Sequence, residues 1–212
     1  MLKIHDSKRR IAAFFLSIIL LLTPSPATAW QASEGQTCSS GFSDDLIGYD
    51  GQPYYMGQHY YTMIYHEDGS RTYMEHTSGK KRRHYVLIDS AGAQHWVYCA
   101  EAGVDFVNST NSYISKSGTN SAYFQRLPLT AQWGMMLAGM YGWQEGKALP
   151  ISGINQHDYW LATQMIIWEY QQLLRTTPQS RVDNGPVDAN TFYEQIKGRP
   201  AEKAYNWILE QM

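Results

Sequence analysis

The chain has 212 residues, and its 17 Lys and Arg against 19 Asp and Glu give a formal net charge of −2 at pH 7. This length suits one domain with its own core, and the slightly acidic balance argues against nucleic acid as a partner. The 16 Tyr, 7 Trp and 6 Phe fit a surface that binds carbohydrate or protein, but they equally fit half-buried β-strands.

The first 29 residues have the three parts of a secretory signal peptide. A basic segment precedes an apolar run at 11–22, and the segment ends in an Ala-Thr-Ala cleavage pattern at Ala29. That run is shorter than the roughly 20 residues of a membrane-spanning helix. We predict cleavage after Ala29 and one mature domain over 30–212, with 13 basic and 18 acidic residues and a formal net charge of −5. The protein is expected to be secreted and not transmembrane, or held at the cell surface if it belongs to a longer wall-anchored protein.

The first half of the mature chain alternates in the manner of antiparallel hairpins. Turn dipeptides such as Asp-Gly and Ser-Gly separate the apolar runs. Strands are predicted at residues 60–65, 71–76, 85–89 and 94–99. The polar stretch 30–43 is expected to be a poorly ordered lead-in, the basic run 80–83 a solvated hairpin tip, and the Asn/Ser/Gly-rich stretch 108–121 a loop.

Helical signals dominate the second half. Helices are predicted at 131–141 with Thr130 as cap, from 158 to about 175 with Asp158 as cap, at 188–197, and at 201–211 after Pro200. Their Met and Trp residues recur at helical spacing and are expected to be core. The fold class is therefore α+β, with a β-rich N-terminal half of hairpins or antiparallel sheet and a helical C-terminal half.

Gln164 occupies an unusual place on the helix that starts near residue 158. Residues three and four positions away share its face, and all of them are apolar or aromatic: Trp160, Leu161, Ile167 and Trp168. A buried amide without partners costs about 2–7 kcal/mol. Gln164 is thus either a core glutamine satisfied by a neighbouring loop or a residue present for its chemistry.

Cys99 is the second candidate, at the end of the predicted strand 94–99. The chain has one other cysteine, Cys38, and an even count in an exported protein is typical of a disulfide. A Cys38–Cys99 disulfide would leave no reactive thiol. A free Cys99 would instead stand where a strand gives way to a loop, which is a common position for functional residues.

Two short motifs surround these residues. Tyr98-Cys99-Ala100-Glu101 ends a predicted strand, and Ala162-Thr163-Gln164-Met165-Ile166-Ile167-Trp168 follows later on a predicted helix. In this order and behind a signal peptide, they resemble the thioester domains, or TQxA domains, of Gram-positive bacterial surface adhesins. In that family a Cys thiol and a Gln side chain condense with loss of ammonia. The resemblance therefore implies an internal thioester between Cys99 and Gln164.

Such a bond would make the protein a covalent adhesin. A thioester is a better acyl donor than an amide because sulfur donates poorly into the carbonyl and a thiolate leaves readily. The resemblance implies that a lysine amine of a host or surface protein, or another nucleophile, attacks the former Gln164 carbonyl. Cys99 then leaves as a thiol and an isopeptide cross-link remains. The protein would react once per molecule, so it is not a turnover enzyme, and it would need no metal ion or other cofactor.

Neighbouring residues are predicted to serve this bond in two ways. Five apolar or aromatic side chains are candidates to shield it from water: Trp96, Tyr98, Trp160, Ile167 and Trp168. Three titratable side chains are candidates to transfer protons while it forms: His95, Glu101 and His157.

Two other functions remain open at this point. One is a non-covalent carbohydrate- or protein-binding module that uses exposed Tyr and Trp and contains a Cys38–Cys99 disulfide. The other is a cysteine hydrolase or acyltransferase, with Cys99 as nucleophile and His157 as base.

Overall fold

A computed structural model of the protein describes residues 35–103, 109–114 and 121–212, so the predicted signal peptide and its cleavage site lie outside the described residues. The first half contains six strands in the described part: β1 (Thr37–Asp45), β2 (Tyr60–Tyr65), β3 (Arg71–His76), β4 (Arg83–Ile88), β5 (Gln94–Val97) and β6 (Ser109–Ile114). The second half contains α1 (Ala122–Arg126), α2 (Leu129–Tyr141), α3 (Gln156–Gln171), β7 (Arg175–Thr177), β8 (Ser180–Arg181), a 3₁₀ helix (Tyr193–Gln195) and α4 (Pro200–Gln211). This arrangement confirms the predicted α+β class.

All pairings of these strands are antiparallel. Four strands form one sheet in the order β5-β4-β1-β6, while β2 pairs with β3 and β7 with β8. The predicted hairpin of β2 and β3 is confirmed, and its turn contains Gly69 at φ +82°, a left-handed conformation that favours glycine. None of the helices in the described ranges is long and apolar enough to cross a membrane.

Two predictions about irregular segments are wrong. Within the expected lead-in 30–43, residues from Thr37 onward belong to β1, which pairs with β4 on one side and β6 on the other. The expected loop 108–121 contains β6. Their Ser, Gly, Asp and Asn residues carry little strand preference, but ladder hydrogen bonds to neighbouring strands override this local preference.

Helix α3 lies at the centre of the fold. Every residue from Asp158 to Gln171 is buried, and the helix packs against both α2 and α4. A helix that is buried on all sides belongs to the interior of a domain. The tertiary structure therefore fixes the position of Gln164 from several directions.

The start of α3 differs from the prediction, because Asp158 is not its cap. Asn155 is the N-cap residue and accepts the N–H of Asp158 at 3.0 Å, while the Asp158 carboxylate accepts the N–H of Asn155 at 2.8 Å. This reciprocal pair is a capping box. The same carboxylate also accepts the hydroxyl of Tyr54 at 2.6 Å and the N–H of Tyr49 at 2.9 Å, so it ties the helix to the β-rich half.

The other predicted helices are confirmed in part. Helix α4 begins at Pro200 as predicted. Helix α2 begins at Leu129, with Pro128 in the cap position and no side-chain cap bond, so the prediction of Thr130 as its cap is wrong. The predicted helix 188–197 reduces to the 3₁₀ turn Tyr193–Gln195.

The Met and Trp residues of α2 are not all core, which corrects another prediction. Leu129, Trp133, Met136 and Met140 are 70%, 46%, 43% and 37% exposed and share one face. The opposite, buried face consists of Ala131, Gly134, Met135 and Ala138, and a Cβ added at Gly134 would lie 2.1 Å from the ring of Tyr170. The close approach of α2 to α3 therefore requires small residues and turns the larger side chains outward.

Candidate functional site

Cys99 and Gln164 are in direct contact. The backbone N–H of Cys99 donates to Gln164 Oε1 at 2.8 Å, and Gln164 Nε2 donates to the backbone oxygen of Cys99 at 2.8 Å. Gln164 is fully buried. The two bonds hold the side-chain amide against the residue that bears the thiol, so two motifs distant in sequence meet at one point.

The segment after β5 carries Cys99 to this position on α3. The hydroxyl of Tyr98 donates to the backbone oxygen of Trp143 at 2.7 Å. The ring of Tyr98 stacks on Trp160, with centroids 5.6 Å apart and an interplanar angle of 18°. Tyr98 thus attaches the chain to the helix one residue before Cys99.

Both cysteines are free thiols in the structure. Cys38 is buried in β1, whereas Cys99 is partly exposed and its Sγ donates to the backbone oxygen of Glu101 at 3.3 Å. The structure therefore contains no Cys38–Cys99 disulfide, the bond that the alternative of a non-covalent binding module included. The Cys99 thiol is available for chemistry.

The surroundings of the thiol favour its protonated form at rest. Burial raises the pKa of the Cys99 thiol. Burial also raises the pKa of the neighbouring Glu101 carboxyl, which the Arg126 guanidinium lowers in part. A carboxylate with a raised pKa is a better proton acceptor near neutral pH. Among the three predicted proton-transfer residues, Glu101 contacts the thiol through its backbone oxygen, and its carboxylate acts electrostatically on the pKa of Cys99.

The two histidines have other partners. His95 lies 3.2 Å from Asp89 and 3.3 Å from Glu145. His157 Nδ1 accepts the backbone N–H of Ile47 at 3.3 Å, which in a neutral ring leaves the proton on Nε2. In that state neither nitrogen of His157 is the base that a cysteine hydrolase would need.

The predicted shielding residues lie in or against one core. Trp160, Ile167 and Trp168 are 1%, 5% and 4% exposed, while Tyr98 and Trp96 are half-buried. The ring of Trp96 lies 5.0 Å from that of Trp143. Together these side chains form a largely apolar wall that belongs to the core in which Gln164 is buried.

Comparison of the chain with protein-family models, curated proteins and solved structures gave no match. The contact between Cys99 and Gln164 is therefore the main basis for assigning a function. Two further features go beyond the sequence predictions: the indole N–H of Trp168, a residue predicted only as a shield, and the side chain of Arg82.

The buried indole N–H of Trp168 has no partner of normal hydrogen-bond geometry among the described residues, but it lies close enough to Cys99 to act on its thiol as a donor. Burial raises the pKa of the Cys99 thiol, and the Trp168 indole acts in the opposite direction. A buried donor without a partner is unusual in a folded protein. The Trp168 N–H can therefore donate a hydrogen bond to the Cys99 sulfur when that sulfur carries negative charge.

Arg82 is a residue of the site that sequence reasoning missed. Its guanidinium lies over the Trp168 ring, 5.0 Å from the centroid, and only 5% of the residue is exposed. The prediction that 80–83 is a solvated hairpin tip is therefore wrong at Arg82. Four consecutive basic residues suggested solvation, but their alternation into strand β4 turns Arg82 inward.

A second glutamine makes the same kind of contact as Gln164. Gln172 Nε2 donates to the backbone oxygen of Met63 at 2.8 Å, and the N–H of Met63 donates to Gln172 Oε1 at 2.5 Å. Met63 carries a thioether, which has no proton to lose and cannot form a thioester. A paired glutamine–backbone contact can therefore be purely structural, and Gln172 provides an internal control for Gln164.

Proposed function

We propose that Cys99 Sγ and Gln164 Cδ form an internal thioester, and that this bond attaches the protein covalently to an amine of a host or surface target. The observation that carries the proposal is the reciprocal pair of hydrogen bonds that holds the Gln164 amide on Cys99. The resemblance of the two motifs to the thioester domains of surface adhesins supports it. Export through the predicted signal peptide would bring the bond to targets outside the cell.

Bond formation would proceed by acyl transfer within the protein. The Cys99 thiol gives up its proton, with the Glu101 carboxylate as the nearby acceptor, and the sulfur attacks Gln164 Cδ. The developing negative charge on Oε1 already has a donor, the backbone N–H of Cys99 at 2.8 Å. The carbon–nitrogen bond then breaks, the proton is delivered to the leaving nitrogen, and ammonia departs.

Opening of the bond would follow the same path in reverse with a new nucleophile. A neutral amine attacks the thioester carbon, and the backbone N–H of Cys99 again stabilises the oxyanion. Sulfur leaves, the attacking nitrogen loses a proton, and an amide joins the protein to its target while Cys99 regains a thiol. The apolar wall formed by Trp160, Trp168 and their neighbours slows the competing attack by water.

Intact mass spectrometry of the purified protein tests the proposal. We expect a mass lower by one ammonia than the sequence of the purified chain predicts, because condensation expels the Gln164 nitrogen. Incubation with methylamine should add one amine per molecule and expose one new thiol. A protein of full mass that takes up no methylamine would contradict the thioester.

Replacing Trp168 with phenylalanine should slow the methylamine reaction about 10- to 100-fold, because a hydrogen bond to a charged group contributes roughly 1.5–3 kcal/mol. The variant keeps the aromatic ring but removes the donor that faces the leaving sulfur. The measurement is the rate of mass increase under excess methylamine.

Trp160→Phe is the matched control for this prediction. The Trp160 indole N–H is also buried without a partner among the residues that the structure describes, but its ring packs on Tyr98 and His84. Its loss should leave the opening rate nearly unchanged. Equal slowing in both variants would show that aromatic packing, and not the Trp168 donor, sets the rate.

A further inference from the structure

A groove of about 1060 Å³ opens next to the segment that follows Cys99, with Glu101, Ala102 and Gly103 in its lining. On the side of the thiol it is lined by Tyr85, Glu101 and Trp168. Four cationic side chains also line it, against two carboxylates: Lys80, Lys81, Arg82 and Arg83 against Asp45 and Glu101. With histidine counted as neutral, the groove carries a formal charge of +2 on a chain whose net charge is −2. The proposed electrophile therefore lies next to a basic groove on an acidic protein.

Asp45 compensates only part of this charge. Its carboxylate pairs with Lys81 at 2.9 Å and with Arg83 at 3.2 Å. Lys80 is exposed at the rim, and Arg82 is buried inside. The excess positive charge is thus concentrated on the two residues that Asp45 does not contact.

The hydrogen bonds of Arg82 go to neutral groups in the described part of the chain. Its Nε donates to Gln195 Oε1 at 3.1 Å, and its Nη2 donates to the same oxygen. The phenols of Tyr60 and Tyr85 also lie within hydrogen-bonding range. Buried charges are normally paired with opposite charges, because neutral acceptors offset only part of their desolvation. An anionic group in the groove would supply the missing counter-charge, and a guanidinium suits a carboxylate in particular.

The size of the groove favours a chain segment over an isolated amine. Small-molecule pockets measure about 300–1000 Å³, and the volume of this groove, about 1060 Å³, lies just above that range. Its positive charge also suits the reaction itself, because nearby like charges lower the pKa of a lysine amine and favour its neutral, nucleophilic form. A lysine surrounded by further basic residues would, however, be repelled.

We propose that this groove binds an acidic segment of the target protein that flanks the attacking lysine, with one carboxylate against Arg82 and another near Lys80. This inference rests on the proposed function, since it names the target chemistry of the same site. In this proposal the groove selects a target by the charge of the residues next to the attacking lysine, and not by the lysine alone.

Three blocked peptides of equal length test the inference. Each contains one lysine, flanked by Glu, by Gln or by Arg, and the rate of adduct formation is measured by intact mass at low ionic strength. We expect the Glu peptide to react about tenfold faster than the Gln peptide through electrostatic steering, and the Arg peptide to be the slowest. Near 1 M salt, where the screening length is about 3 Å, the differences should largely vanish.

Two groove variants and one control variant locate the effect in the groove. Lys80→Glu changes an exposed rim residue and should bring the rates of the Glu and Gln peptides close together. Lys203→Glu makes the same change on α4, away from the residues that line the groove, and should preserve the difference. Arg82→Gln removes the buried cation and should act as Lys80→Glu does. The methylamine rate of Lys203→Glu should stay at the wild-type value, because Lys203 lies outside the groove lining.

A peptide with norleucine in place of lysine distinguishes binding in the groove from reaction with the thioester, because norleucine has no amine. Its binding to the wild-type protein, measured by fluorescence anisotropy, should be stronger with Glu than with Gln flanks. If the protein takes up methylamine normally but the three peptides react at equal rates, the proposed binding of an acidic segment in the groove is wrong and the thioester stands. If the protein takes up no methylamine, the proposed thioester is wrong. Faster adduct formation with hyaluronan, an anionic polysaccharide, than with the Glu peptide would overturn the assignment to a protein segment.

Discussion

Replacing Gln164 with alanine is expected to abolish both the ammonia deficit and the uptake of methylamine. Without the side-chain carbonyl there is no acyl group for Cys99 to capture. Intact mass should equal that calculated for the substituted sequence, and Cys99 should react with iodoacetamide as a free thiol. This is the largest effect on function that the structure predicts.

Gln172→Ala is the matched control, because both substitutions remove a buried glutamine that bonds to a backbone N–H and a backbone oxygen. Each buried polar group left unpaired costs about 1–3 kcal/mol. Both variants should therefore unfold at lower urea concentration than the wild type. The Gln172 variant alone should keep the mass deficit and react with methylamine.

Comparing the two glutamine variants thus separates loss of the thioester from loss of stability. If Gln172→Ala loses the mass deficit while it remains folded, the deficit does not report on the Cys99–Gln164 contact. If Gln164→Ala still takes up methylamine, the acyl group lies elsewhere in the chain. Either result would reject the proposed bond.

Arg175→Met should lower the free energy of unfolding by about 3–5 kcal/mol near pH 7, the typical cost of removing one partner of a buried ion pair. Arg175 Nε lies 2.7 Å from Glu169 Oε2, with exposed side-chain fractions of 2% and 0%. The hydroxyl of Tyr205 lies 2.8 and 2.7 Å from the two carboxylate oxygens. The substitution leaves the Glu169 carboxylate buried without its cation.

The loss should depend on pH in a defined direction. Burial raises the pKa of Glu169 above its unfolded value, even though Arg175 opposes the shift. A carboxyl group with a raised folded pKa stabilises the fold below its unfolded pKa, and this contribution is lost as the pH rises through the folded pKa. Removing Arg175 raises the folded pKa further. The variant should therefore be closest to the wild type in acid and weakest at neutral pH, as measured by urea unfolding at several pH values.

Lys197→Met is the control for this experiment, since it breaks an ion pair with Glu194 whose partners are 57% and 54% exposed. Exposed pairs are screened by water and salt, so little change in unfolding is expected at any of these pH values. A pH-independent loss in Arg175→Met would show that packing of the long side chain, and not the charge of Glu169, explains the effect. Because this network joins α3 to α4, it also supports the helix that carries Gln164.

Local pattern was sufficient where short-range physics decides the structure. Alternation with an Asp-Gly turn predicted β2 and β3 with their observed bounds, and Pro200 marked the start of α4. Motif reading paired Cys99 with Gln164, which periodicity alone could not do. Local pattern failed for β1, whose small polar residues are held in place by strands on both sides.

Several properties of the site depended on groups that are distant in sequence. The carboxylate of Asp158 became part of a capping box and of a link to Tyr54, and the expected solvated Arg82 became a buried cation over Trp168. His157, although close to Gln164 in sequence, binds the backbone of Ile47. Only long-range packing could determine which neighbour each side chain would meet.

By itself, then, the sequence determined the α+β class, the hairpin of β2 and β3, and the candidate pair Cys99 and Gln164. These follow from residue periodicity, turn chemistry and short motifs, which act over a few residues. The tertiary structure alone decided that both cysteines are free, that the Gln164 amide bonds to the backbone of Cys99, and that a basic groove opens next to the segment that follows Cys99. These features depend on how β4, the segment after β5 and α3 pack together, and their energies come from contacts across the whole chain.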